Sequence, residues 1–196
     1  MKTTWAWLGD HLAVDFANTV RVVKNSTVEL IGSVEEFHEW RKAEPAQLPN
    51  AVLTPENLRS LLDLRDCSLR LVHAAVSETR LPPADIGMIN EAIEVGGTVR
   101  LLGSVAGISR LQSGSGTGVD ALAGVLAAAV VDLLAREDLA NVAVCPAPSC
   151  GQLFHRARPN QLWCSPGCGN RARVDRHRHR RTRVVGNRGG DCDDDT

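Results

Sequence analysis

Cys145-Pro146-Ala147-Pro148-Ser149-Cys150, then thirteen residues, then Cys164-Ser165-Pro166-Gly167-Cys168-Gly169-Asn170-Arg171 is the stretch from which the rest of the chain can be read. Two close cysteine pairs flank a loop long enough to fold back on itself. Such an arrangement brings four thiolates to the corners of a tetrahedron, the geometry of a closed zinc site. Four sulfur ligands leave no open coordination position, so one zinc ion held by Cys145, Cys150, Cys164 and Cys168 would be structural and not catalytic. The same residues allow two alternatives, two disulfides or four unrelated thiols. The paired spacing, the turn-forming residues inside the pairs and the basic run that follows favour metal.

That run begins inside the second pair. Ser165-Pro166 offers an N-cap and a first-turn proline, which predicts a helix to about residue 183. It carries Arg171, Arg173, Arg176, Arg178, Arg180, Arg181 and Arg183 with His177 and His179, and only Ala172 and Val174 as apolar contacts after Asn170. Positions 173, 176, 177, 180 and 181 fall on one helical face. Like charges at this density repel one another unless a polyanion neutralises them, and guanidinium groups suit both phosphate oxygens and guanine edges. The expected partner is double-stranded DNA, contacted by Asn170, Arg171, Arg173, Arg176, His177, Arg178, Arg180, Arg181 and Arg183. A solvated charge run is the plainer reading of the same residues.

The segment resembles the CGNR zinc finger, named for the tetrapeptide Cys168-Gly169-Asn170-Arg171. Cys150-Gly151, Leu153-Phe154, Asn160 and Trp163-Cys164-Ser165 also match. Asp15-Phe16-Ala17-Asn18-Thr19 resembles the start of the ABATE domain, the usual N-terminal companion of that finger. The resemblance implies a bacterial transcription regulator that binds DNA through the finger. It also implies an N-terminal domain that senses a small-molecule effector or forms a homodimer.

Composition bounds this reading. The chain of 196 residues has room for one ordinary domain and a small appendage, and 43% hydrophobic residues suffice for a core. Aromatics at 4%, with no tyrosine, argue against a stacking platform for single-stranded nucleic acid. The net charge of −1 hides a segregation. Residues 1–144 hold 12 Lys and Arg against 18 acids, whereas residues 145–188 hold 10 arginines against Asp175 alone. No secretion signal is recognisable, and the apolar run 121–135 is too short to span a bilayer, so a soluble cytoplasmic protein with reduced thiols and no membrane partner is expected.

Before the finger, the pattern predicts mostly helix. Residues 5–20 read as strand, with a turn or bulge near Ala17, followed by a small hairpin over 20–31. Ser33-Val-Glu-Glu36 is a capping box opening a short helix with Val34, Phe37 and Trp40 inward, ending before Pro45. Thr54-Pro55 opens a long helix with Leu58, Leu61, Leu62, Leu69, Val72 and Val76 on its apolar face. Pro82-Pro83 stops it and starts another, with Ile86, Ile89 and Ile93 inward and Gly96-Gly97 at its end. Strands at 98–102 and 107–112 lead to Ser113-Gly-Ser-Gly-Thr-Gly118, read as a flexible connection, with a phosphate-binding loop as the alternative. An apolar helix over 119–136 follows and runs with little linker into the finger, which should dock on the helical part. His38, His73 and Cys67 read as packing or surface residues.

The fold class is therefore mainly α with a small β element (α+β), ending in a four-cysteine zinc finger and a basic helix. The expected division is 1–140, ABATE-like and mostly helical; 141–185, finger and basic helix; and 186–196, a disordered acidic tail in which Cys192 is too isolated to be a ligand. His11, Asp15, Asn18 and Arg21 are candidate ligand-binding residues, although local backbone bonding explains most of them as well. No catalytic residue is assigned. The rival function is an enzyme using the Asp10–Asn18 neighbourhood, or an RNA- or protein-binding module in which the finger is only structural.

Overall fold

The computed structural model describes residues 5, 7–23, 26–103, 109–135 and 137–186, the side chains of 23, 99–103, 109–113, 137, 138 and 179–186 excepted. The chain is mainly helical with three two-stranded antiparallel sheets. Helix α1 (Leu12–Ala17) replaces the strand expected at residues 12–17. His11 caps it, its Nδ1 accepting the Ala13 N–H at 3.3 Å. Every residue from Ala13 to Ala17 is buried, so burial on all sides and not local periodicity selects the helix. Strands β1 (Val20–Val23) and β2 (Ser26–Glu29) pair as the expected hairpin.

Helix α2 (Val34–Ala43) starts at the Ser33 capping box and places Phe37 and Trp40 in the core, where their rings sit 5.4 Å apart. Helix α3 (Pro55–Val76) starts at Thr54, whose side chain accepts the Asn57 N–H. Its buried face is Leu58, Leu61, Leu64, Arg65, Cys67, Ser68, Leu71 and Val72. Leu62, Leu69 and Val76 of the expected stripe are only partly buried. The stripe is displaced because polar residues occupy part of it. Arg65, 2% exposed, grips Glu29 through Nη1 and Nη2 at 2.9 and 2.6 Å and reaches the Thr19 hydroxyl at 3.1 Å. Such a pair ties the hairpin to α3, since a buried guanidinium is tolerated only when its donors find acceptors. Helix α3 ends at Ser77, well before Pro82.

Helix α4 (Pro83–Gly96) buries Ile89, but Ile86 lies 38% exposed and not inward. It ends at Gly97 with φ +58°. Strands β3 (Thr98–Gly103) and β4 (Ser109–Gly114) pair antiparallel, and helix α5 (Gly118–Leu134) follows. The link between β4 and α5 is packed, not loose. Ser115 and Gly116 donate their N–H groups to the carbonyls of Gly97 and Gly96 at 3.3 and 3.2 Å, which removes two of the amides a phosphate loop would need. A Cβ at Gly116 would stand 2.5 Å from the Gly96 carbonyl, so the glycine serves close approach.

Helix α5 runs through the centre, burying Leu122, Leu126, Val130 and Leu133 among Phe16, Trp40, Leu61 and Leu71. Each such side chain contributes roughly 1.5–3 kcal/mol by leaving water. A 3-10 turn (Glu137–Asn141) leads into strands β5 (Val142–Val144) and β6 (Leu153–His155), and helix α6 (Pro166–Gly186) closes the described chain. Val142 and Leu153 belong to the same core as α5, so the cysteine segment docks as expected. Residues 187–196, including Cys192 and the acidic run, lie outside the described residues.

Candidate metal centre and the surface around it

The β5–β6 hairpin is closed by a tight turn that sets the first cysteine pair. Cys145 N–H donates to the Gln152 carbonyl at 2.8 Å, and Cys150 N–H to that of Ala147 at 3.1 Å. Gly151 follows at φ +67°, a left-handed conformation that explains the glycine beside the second ligand. The second pair sits at the start of α6. Ser165 Oγ accepts the Cys168 N–H at 3.3 Å and its carbonyl accepts those of Cys168 and Gly169, so the predicted cap places Cys168 in the first turn.

All four Sγ atoms lie within 4.8 Å of one another. Cys150–Cys164 and Cys150–Cys168 are separated by 3.7 Å and Cys164–Cys168 by 3.4 Å. Zinc–sulfur bonds of about 2.3 Å in a tetrahedron give edges of about 3.8 Å. A disulfide needs about 2.05 Å, and the cysteines are free, which removes that alternative. The donor set therefore fits one structural zinc ion. Its protonation chemistry agrees. The bond from Cys164 draws the Cys150 thiol well below its usual value, while the same bond and burial push Cys164 up and burial raises Cys145. Four thiolates this close cannot all ionise without a cation between them.

The surrounding shell is built from neighbours on α6 and from the start of the chain. Arg171 Nη2 donates to Cys168 Sγ at 3.0 Å, a charge-assisted contact with a ligand sulfur. Gly169 lies under Trp163, where a Cβ would come 3.0 Å from Cδ1. Asn170 is exposed, and its Oδ1 accepts from Arg173 Nη1 at 2.8 Å. The four candidate residues near the N-terminus gather at this end of the molecule. Asn18 makes a two-point bond to β6, donating to the Leu153 carbonyl at 2.8 Å and accepting the Leu153 N–H at 3.0 Å. Asp10, from the same neighbourhood, accepts the His155 N–H at 2.8 Å. His11 is the cap of α1, and Asp15, fully buried, accepts the Gly9 N–H at 2.8 Å. Arg21 stacks over the Trp7 ring at 4.6 Å.

Along α6, Asn170, Arg171, Arg173, Arg176, His177 and Arg178 are exposed, while Ala172 is buried and Val174, expected as a contact, is 53% exposed. The side chains of Arg180, Arg181 and Arg183 fall outside the described residues, although the backbone there continues the helix.

A family model described as "ABATE: Putative stress-induced transcription regulator" matches residues 10–137. The chain belongs to the ABATE family. The CGNR zinc finger model matches residues 141–181 of the same ABATE chain, covering all four cysteines and most of α6. Neither is an enzyme family. No curated protein matches the chain. In this ABATE member, the motif Asp15-Phe16-Ala17-Asn18-Thr19 contributes Phe16 to the core and Asn18 to the strand that leads out of the first cysteine pair.

Proposed function

We propose that the chain is a bacterial, cytoplasmic transcription regulator in which zinc holds α6 for insertion against double-stranded DNA, and that residues 1–140 sense a ligand or mediate dimerisation. The observation that carries this reading is the junction of the cysteine cluster with α6. A metal-held cap fixes the N-terminus of a helix whose exposed residues include Arg173, Arg176, His177 and Arg178. Groove-reading modules place a helix in this way. Arg171 takes part through Cys168 as well as through its exposure.

Affinity for duplex at several salt concentrations tests it. Log affinity is expected to fall linearly with log salt, at a slope of roughly −0.9 per phosphate contacted. Replacing Arg176 and Arg180 together should flatten that slope by about two units. Zinc removal should abolish site preference and leave weak, salt-sensitive binding. A zinc-loaded chain that binds no duplex at low salt overturns the reading.

A further inference from the structure

A cavity of about 630 Å³ opens between β1, the first cysteine turn and α6. Its walls include Arg21, Val22, Pro148, Gln152, Arg171 and Val174. Two of these residues carry an unusual feature. Nε and Nη2 of Arg21 and Nε2 of Gln152 are buried, yet meet no hydrogen-bond acceptor among the described residues. All three are donors. Leaving a buried donor unsatisfied costs about 1–3 kcal/mol, and because both residues line the cavity, a turn of either side chain towards it would bring these donors to an acceptor from outside the chain.

The geometry of Arg21 narrows the class. Nε–H and the outer N–H of Nη2 point the same way and form a parallel fork that matches two oxygens of one acid group. The same molecule shows what this fork does when it has a partner. In Arg70, Nε and Nη2 bind Asp85 Oδ2 and Oδ1 at 2.9 and 2.6 Å. We infer that the Arg21 cavity is a binding site for a small organic acid, its carboxylate or phosphate held by the Arg21 fork and Gln152 and its apolar body lying along Val22, Pro148 and Val174. The volume is in the range of small-molecule sites and far exceeds a bare anion, which is why an organic body is included.

A zinc tetrathiolate would carry two negative charges beside Cys150, on the cavity wall, and Asp175 adds a third, against the guanidinium groups of Arg21, Arg171 and Arg178. The ligand is therefore held by the direction of its hydrogen bonds more than by net charge. Ligand held between β1 and α6 supplies a means for an effector to act on the basic helix. In that respect the site extends the regulator reading, but its occupancy is measured without DNA, so either can fail while the other stands.

Calorimetric titration of the zinc-loaded full chain with sodium benzoate and with inorganic phosphate provides the test. Saturable one-to-one binding of at least one probe is expected, with benzoate the tighter if the apolar wall contributes. Arg21→Lys keeps the charge but loses the fork, and should weaken binding about tenfold or more, the loss of one charge-assisted hydrogen bond. Val174→Trp, at an exposed position, should block the cavity without disturbing the core, as zinc content and circular dichroism will show. Arg158→Gln, exposed and away from the cavity, should bind as the parent does. The inference is overturned if neither probe saturates, if Arg21→Lys and Val174→Trp bind like the parent, or if Arg158→Gln weakens binding as much as Arg21→Lys.

Discussion

Asp15 shows how one residue of the family motif bears on stability. Burial, opposed by the Gly9 N–H and reinforced by the nearby Glu44 and Asp10 carboxylates, raises its pKa from 3.8 to about 7. The folded state thus holds this proton more tightly than the unfolded chain. The stability this group supports is complete below about pH 4 and is lost as pH rises towards 7, a change on the order of 4 kcal/mol. Asp15→Asn keeps an oxygen for Gly9 and carries no charge. The variant should be more stable than the parent at neutral pH and should show a shallower decline between pH 4 and 7 in urea unfolding of zinc-loaded protein. Parallel curves would mean that Asp15 is not the titrating group. Nothing near Asp15 in sequence announces its burial. The zinc ligands were legible because their spacing itself encodes the site, whereas Asn18 and Asp10 find their partners 135 and 145 residues away, beyond any local pattern.

Elements with chemical start signals were legible in the same way. Ser33 and Thr54 announce their helices because the capping groups lie within four residues of each other. Helix α1 was not, because six residues buried on nearly every side have no period to distinguish them from a strand. The face of α3 was misassigned where Arg65 and Ser68 occupy buried positions that a hydrophobic pattern skips. The crossing of α4 and α5 gives a prediction at this scale. A Cβ on Gly124 would come 2.6 Å from Thr98 Oγ1, 3.0 Å from Gly96 Cα and 3.1 Å from the Ala92 carbonyl. Gly124→Ala should therefore cost about 1–3 kcal/mol through overpacking. Gly87, also helical, meets nothing within 4 Å, so Gly87→Ala should stabilise by about 0.4–1 kcal/mol. Urea midpoints measure both, and shifts of the same sign would refute the close-packed crossing.

Across the whole molecule, the finger and the helices share interior. Val142 and Leu153 are 3% and 1% exposed within the core that holds Phe16 and Leu126, while the cysteines pack in a smaller cluster with Ala143 and Phe154. Among the described residues no helix is long and apolar enough to cross a membrane. Chelating zinc should loosen more than the finger. Amide exchange is expected to quicken over residues 12–23 as well as over 142–168, because α1 is bonded to β6 through Asn18. Faster exchange confined to 142–186 would show that the helices stand without the metal. Synthesis from the N-terminus also imposes an order on the Asn18–Leu153 bond. A ribosome adds about 5–20 residues per second, so Asn18 waits on the order of ten seconds for the strand that receives it. Throughout that interval the nascent chain leaves uncovered the apolar ground on which Leu153 will settle.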